Sequence, residues 1–418
     1  MRRAVVNFQS PVLLLSAAIL VARLFPAPPL SDPTGHVLPP GVHLMTPGWY
    51  LLGAPLFSTW DAVSMLSASR LRGFLIGLAL MYAAWRMVVI LRKRPLHRPL
   101  GAAARELLVA GIAILGLGTF ILLGALWQRP MLALAGVPSH TVVADFHSHT
   151  NASHDVQGTL VASFDAEANR AWHRKAGFDL AFITDHNTVA GWTGHLGPGR
   201  PELCPGMEVS AWKAHIVLLG DTAIVDHSRY DGSLEALLAL LHDSDTRYRA
   251  ISIASMPEYE RSHWSRLADL LAAGLGGFEV VNASPKANEM TRPRRDSVIA
   301  LASAENRLIV GVSDQHGWGA TSMVWTLVPL VPPAESQPPG LCGPVLTRLR
   351  EGGFPATQII ERHRLRPDDW WPLWLTPVGA LWESWRSLSW PLTLSWLAWV
   401  WGIGLAGVVT RRAPGAKA

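Results

Sequence analysis

Four apolar runs, each close to the length that crosses a bilayer, bracket one long polar segment, and this alternation restricts the fold more than any other feature of the sequence. The runs are residues 4–25, 73–91, 107–127 and 390–410. A transmembrane helix needs roughly 20 mostly apolar residues, and each run is read as one. Composition agrees: of 418 residues, 49% are hydrophobic, only 16% are charged and 19 are tryptophan, a profile closer to membrane proteins than to soluble domains. The first run follows the basic start Met1-Arg2-Arg3, as a signal peptide would. No small-residue cleavage pattern follows it, so a span is preferred over a leader. Arg86 interrupts the second run four residues before Ile90, near enough to an end for its side chain to snorkel to the headgroups.

The formal charge of +5 matters less than where the basic residues lie. Short loops rich in lysine and arginine stay in the cytoplasm. The loop between the second and third runs carries Arg92, Lys93, Arg94, Arg98 and Arg105, the N-terminus Arg2 and Arg3, and the tail Arg411, Arg412 and Lys417. Four crossings put all three clusters inside and the large polar segment outside, on the periplasmic side if the source is bacterial. Three units are expected: a membrane region over 1–137, a polar domain over 138–365, and a C-terminal part over 366–418. In the last, tryptophans between 370 and 390 are spaced for a helix lying at the headgroups, with a Trp-rich core helix as the alternative. Residues 26–70 read as an external loop with an amphipathic or re-entrant piece at 48–66. Cys204 and Cys342 are expected as small buried apolar residues rather than as a bridge.

The polar domain alternates short β-rich runs with helical stretches, the pattern of an α/β layer or barrel. Its chemistry gathers where strands should end. TVVADF leads into DFHSHTNASHD, placing His147 and His149 two residues apart, on one face of a strand, where both imidazoles can turn to one ion. DLAFITDHN ends in Asp185, His186 and Asn187. LCPGMEVSAWKAHIVLLG supplies Glu208 after one strand and His215 at the head of another, and LIVGVSDQHGWG supplies Asp314 and His316. Any one of these reads best as a cap or turn residue. Four polar groups at four strand ends read as a site, because parallel strands bring their C-terminal ends to one face.

DFHSHT, ITDHN, PGMEV with a following histidine, and VSDQHG resemble, in order and approximate spacing, the four signature motifs of the PHP (polymerase and histidinol phosphatase) family of phosphoesterases. The likeness covers about residues 141–330, and VLTRLREGGFPA at 345–356 resembles the helix that often closes such domains. It implies a distorted (β/α)7 PHP-type barrel, here flanked by transmembrane helices, holding two or three divalent metal ions (Zn, Mn or Fe) at the strand ends. Carried over residue by residue, His147, His149, Glu208 and Asp314 match the ligands of one ion. Glu208 would bridge to a second ion that also takes His215, and His186, His316 and Asp155 (or its neighbour His154) would hold a third. Glu208 and Asp314 are the implied catalytic residues together with Asp185, which would orient an imidazole or water. One position departs. Where the family places a histidine before proline, ISIASMPEY has Met256, a soft and weak ligand for such ions. Water or His263 would fill in, or fewer metals would bind.

The implied activity is hydrolysis of a phosphomonoester or phosphodiester by metal-activated hydroxide. The implied partners are a phosphorylated small molecule, nucleotide or lipid-derived substrate, together with membrane lipids. No aromatic and basic stripe of the single-strand-binding kind is present, so a nucleic acid is the lesser alternative. Two other classes stay open: a membrane sensor built on a degenerate metal pocket, which Met256 favours, and a metallohydrolase acting on other bonds. Lys213, Arg292, Arg294 and Arg295 are read as solvated surface charges ahead of phosphate clamps. Oligomeric state is not addressed by the sequence.

Overall fold

The computed structural model describes residues 2–91, 99–161, 163–193, 199–222, 224–330 and 340–412. Arg92, Lys93, Arg94, Arg98 and Lys417, on which the topology reading leans, lie outside the described residues. The strands in chain order are β1 (Leu30–Ser31), β2 (His43–Met45), β3 (Ala133–Ala135), β4 (Thr141–Ser148), β5 (Leu180–Ile183) and β6 (Glu202–Ala211). They continue with β7 (Ala214–Leu219), β8 (Ile251–Ala254), β9 (Gly277–Asn282), β10 (Leu308–Val312), β11 (Val324–Pro329) and β12 (Gln358–Arg362). Ten of them form one mixed sheet in the order β1-β12-β11-β4-β5-β6-β7-β8-β9-β10, and β2 pairs with β3 apart from it.

The seven strands β4 to β10 curl into a half-barrel whose two edges meet at one end. There the Asp314 amide donates to the His147 carbonyl (2.9 Å) and the His149 amide to the Gln315 carbonyl (3.0 Å). The expectation of parallel strands throughout is corrected at β7, which pairs antiparallel with both β6 and β8. Trp212 and Lys213 join β6 to β7 with φ of 38° and 63°. Two successive left-handed residues make the tight hairpin turn that suits strand twist, and no length remains for a crossover helix. The reversal has a useful result: the head of β7, with His215 opposite Ser210, lies at the same end as the tails of β6 and β8.

Inside the curl, Val142, Ala144 and Phe146 of β4 pack with Leu180, Phe182, Ile253 and Val310, and the helix Cys342–Gly352 adds Val345 and Leu349. Burying each of the larger of these side chains stabilises the fold by about 1.5–3 kcal/mol. That helix is bonded to β6 by a Cys204–Cys342 disulfide, which corrects the reading of the cysteines as unpaired. The two residues are 138 apart, and only the curl of the sheet brings them together.

Among the described residues two helices are long and apolar enough to cross a membrane, Ala68–Leu91 and Ala104–Leu126; the run at 390–410 is helical as well, within Trp390–Arg412, but is not one of these two. Only 11% and 6% of their apolar windows are buried, so Leu107, Ile114 and Leu115 face outward instead of into a protein core. The apolar part of the first helix, Pro11–Leu24, is shorter. Arg86, expected to snorkel, pairs instead with Glu106 on the neighbouring helix. Residues 48–66, read as an amphipathic or re-entrant piece, are helical over Gly48–Leu52 and Ala54–Ser64. The helices Gly48–Leu52 and Ala54–Ser64 bury Tyr50, Phe57 and Trp60 against Trp385 and Trp396, so part of the Trp-rich stretch is core, whereas Trp370 and Trp390 stay exposed.

Candidate metal centre

Five of the donors, His147, His149, His186, Asp314 and His316, sit where an apolar strand stops, whereas Glu208 lies within β6, His215 opens β7 and Asp155 lies in the helix His154–Gln157. The β-branched and aromatic residues of TVVADF carry β4 through the core, and its end turns His147 and His149 toward each other, their Nε2 atoms 3.0 Å apart. Glu208, three residues from the end of β6, places Oε2 3.1 Å from His147 Nε2 and 3.4 Å from His149 Nε2. Asp314, just beyond β10, places Oδ1 3.5 Å and 3.3 Å from the same two nitrogens. Its φ of 44° is a left-handed conformation that aspartate tolerates better than most residues, and it turns the carboxylate into the pocket.

Two further groups adjoin this one. His186 Nδ1 lies 3.2 Å from Glu208 Oε2, and His215 Nδ1 lies 3.1 Å from Glu208 Oε1. On the other side Asp155 Oδ2 lies 2.7 Å from His316 Nε2 and 3.3 Å from His186 Nε2. Ions of the zinc class bind nitrogen and oxygen at about 2.0–2.2 Å, so donors sharing an ion lie roughly 3–4 Å apart. The spacing fits. His154, the alternative to Asp155, meets His186 only ring to ring at 4.9 Å and belongs to none of the donor groups.

The tautomers fit as well. The buried Glu279 carboxylate accepts from His147 Nδ1 at 2.6 Å, which leaves the Nε2 lone pair aimed into the pocket. Burial alone would raise Glu208, but His147 and His186 hold it well below the usual carboxylate range. Burial alone would lower His215 and His316, but Glu208 lifts the first to about 9, and Asp314 and Asp155 lift the second to about 9. His149 goes the other way: burial and the charge of His316 pull it down to about 3. Carboxylates and imidazoles packed this closely suit a divalent cation, which takes neutral imidazoles and ionised carboxylates together.

The other candidates separate. Asp185 accepts from the Thr150 amide (2.6 Å) and hydroxyl (2.7 Å), stands 4.0 Å from His149 Nδ1, and is raised to about 6 by burial. It braces the segment carrying His149. Met256 is core, its amide donating to Glu279, and His263 does not fill in for it: His263 lies under Trp212 with Nε2 on the Trp212 carbonyl. Arg292, Arg294 and Arg295 pair with Asp368 and Asp369, with Glu260, and with Glu361 respectively, which disposes of them as a phosphate clamp. Lys213 stays exposed on the hairpin turn, two residues before His215.

Glu279 was missed because it lies inside β9, in the apolar string GFEVVN, with nothing local to mark it except a charge in a buried strand. Arg129 was missed too. It is buried, lies 3.8 Å from Asp61 of the helix Ala54–Ser64, and donates to the Trp318 carbonyl two residues beyond His316. Arg129 thereby ties the helix Ala54–Ser64 to the loop that carries Asp314 and His316.

The chain matches no protein-family model and no curated relative. Among solved structures it is similar to a two-domain Bacteroides vulgatus protein described as containing a predicted PHP-like metal-dependent phosphoesterase (15% identity, 53% of this chain, 65% of that one, TM-score 0.35). It is similar also to an amidohydrolase from Chromobacterium violaceum (18% identity, 54% and 98%, TM-score 0.28). A third is the lesion-specific endonuclease EndoQ of Pyrococcus furiosus (12% identity, 54% and 60%, TM-score 0.36). Likenesses this distant carry no argument about chemistry; the side chains do.

Proposed function

We propose that the chain is a membrane-anchored hydrolase of phosphoesters that works with divalent metal ions and faces the extracytoplasmic side. One observation carries the reading: eight side chains from separated stretches, His147, His149, Asp155, His186, Glu208, His215, Asp314 and His316, converge in three adjoining donor groups. A divalent cation bound there lowers the pKa of its water toward about 7 and neutralises phosphate oxygens, the two needs of an anionic ester that resists hydroxide. Within that site Glu208 lies between the His147–His149 pair and the His186–His215 pair and serves as the shared carboxylate. Glu279 fixes the His147 tautomer, and Asp185 keeps the His149 segment in place. Lys213, which makes no ion pair among the described residues, is the cation at hand for an anionic substrate.

The outward placement is supported by the charge distribution of the loops and by the Cys204–Cys342 bond, since disulfides persist in oxidising compartments. An outward site suits extracellular nucleotides, sugar phosphates or lipid headgroups as substrates. Purified full-length protein supplied with Mn or Zn and offered a chromogenic phosphomonoester and a phosphodiester is expected to turn over at least one. Asp314→Ala, with its fold intact, is expected to lose that turnover by at least a hundredfold. A folded wild-type protein inert with every divalent ion would remove the hydrolase reading and favour a sensor.

A further inference from the structure

We propose that Glu258 is an additional carboxylate ligand on the Glu208–His215 side of the centre, an inference that rests on the metal reading above. The group formed by His186, Glu208 and His215 offers three donors, one of them shared, and its open side is incomplete for an ion that takes four or more. Beyond β8 the short helix Glu258–Ser262 starts, and its three leading side chains go separate ways. Tyr259 donates its hydroxyl to the Glu279 carbonyl at 2.6 Å, inside the core. Glu260 pairs with Arg294, away from the donors. Glu258 faces His215, its Oε2 3.9 Å from His215 Nδ1, and among the described residues it pairs with no lysine or arginine; it stands just outside the compact group of His186, Glu208 and His215 and would join it by swinging inward.

Two donors held about 2.0–2.2 Å from one ion can stand as much as roughly 4.2 Å apart when they lie on opposite sides of it, so 3.9 Å lies within reach of a shared cation. Both side chains are near 30% exposed, at 30% and 28%, which leaves room for the carboxylate to swing inward without displacing core. Carboxylate oxygen is also a harder ligand than the sulfur of Met256, which lies two residues earlier in the same segment.

The test is metal binding by the full-length, detergent-solubilised chain, measured by equilibrium dialysis against Mn and Zn with elemental analysis, so that no turnover is needed. Glu258→Gln is expected to bind one ion at least tenfold more weakly than wild type, with the remaining affinities unchanged. Glu260→Gln, which alters the neighbouring carboxylate that pairs with Arg294, is expected to match wild type. Circular dichroism and melting of both variants confirm the fold. Glu258→Gln binding with wild-type stoichiometry and affinities within threefold would overturn the assignment while leaving the centre standing. Wild-type protein that binds no divalent ion would overturn the centre and this ligand together.

Discussion

Replacing Glu279 by glutamine tests the tautomer argument with almost no change of shape. The carboxylate is fully buried and accepts from His147 Nδ1 (2.6 Å), the Met256 amide (2.9 Å) and Asn282 Nδ2 (2.8 Å). All of these partners are donors, and glutamine has only one accepting oxygen. If its oxygen faces His147, its NH2 group opposes the Met256 and Asn282 donors and leaves buried N–H groups unsatisfied, each costing about 1–3 kcal/mol. Asn282 cannot relieve this by turning over, because its Oδ1 accepts from the Ser284 amide at 2.8 Å and its Nδ2 reaches Asp314 at 3.2 Å. If the amide is reversed, its NH2 meets His147 Nδ1, the imidazole proton moves to Nε2, and the pocket loses a lone pair. Losing a carboxylate behind a metal-bound histidine typically costs 10–100-fold in metal affinity, about 1.4–2.8 kcal/mol. The expected result for Glu279→Gln is a 10–100-fold weaker affinity in competition with a chromogenic chelator, together with a lower melting temperature of the metal-free protein. An affinity within twofold of wild type, in a folded variant, would refute the proposal that Glu279 sets the His147 tautomer.

Two further perturbations follow from contacts remote from the centre. Burial alone would raise Glu361, but Arg366, Arg364 and Arg295 hold it at about 2, below its ordinary value of 4.5. A depressed folded value gives stability that is complete above about pH 4.5 and lost as pH falls toward 2, worth about 3 kcal/mol; the stability gap between wild type and Glu361→Gln is therefore expected to be widest near neutral pH and to narrow in unfolding curves taken below pH 4.5. For the disulfide, closing a loop of 138 residues restricts the unfolded chain by about 4–5 kcal/mol, so Cys204→Ser with Cys342→Ser, or wild type in reductant, should melt well below the oxidised protein, and unchanged melting in reductant would show that the bond contributes nothing.

The donors that follow β4, β5 and β10 were legible in the sequence because a strand repeats every two residues and stops where polar residues replace apolar ones. His147 and His149 on one face, or Asp314 and His316 after VGV, can be read from neighbours along the chain. Glu279 could not, since its role depends on β9 lying across the curl from β4, and Glu258 could not, since nothing near it marks an inward carboxylate. The direction of β7 was hidden for a related reason: Trp212 and Lys213 adopt left-handed backbone without the Asn-Gly or Asp-Gly pair that usually announces such a turn. By itself the sequence determined the apolar helices and the residue types at the strand ends, because both are local patterns of hydropathy and periodicity. Only the tertiary structure decided which donors share a neighbour, that Asp155 and not His154 meets His316, and that Cys204 reaches Cys342. Those pairings depend on how far a sheet curls, and that is set by packing between segments more than a hundred residues apart.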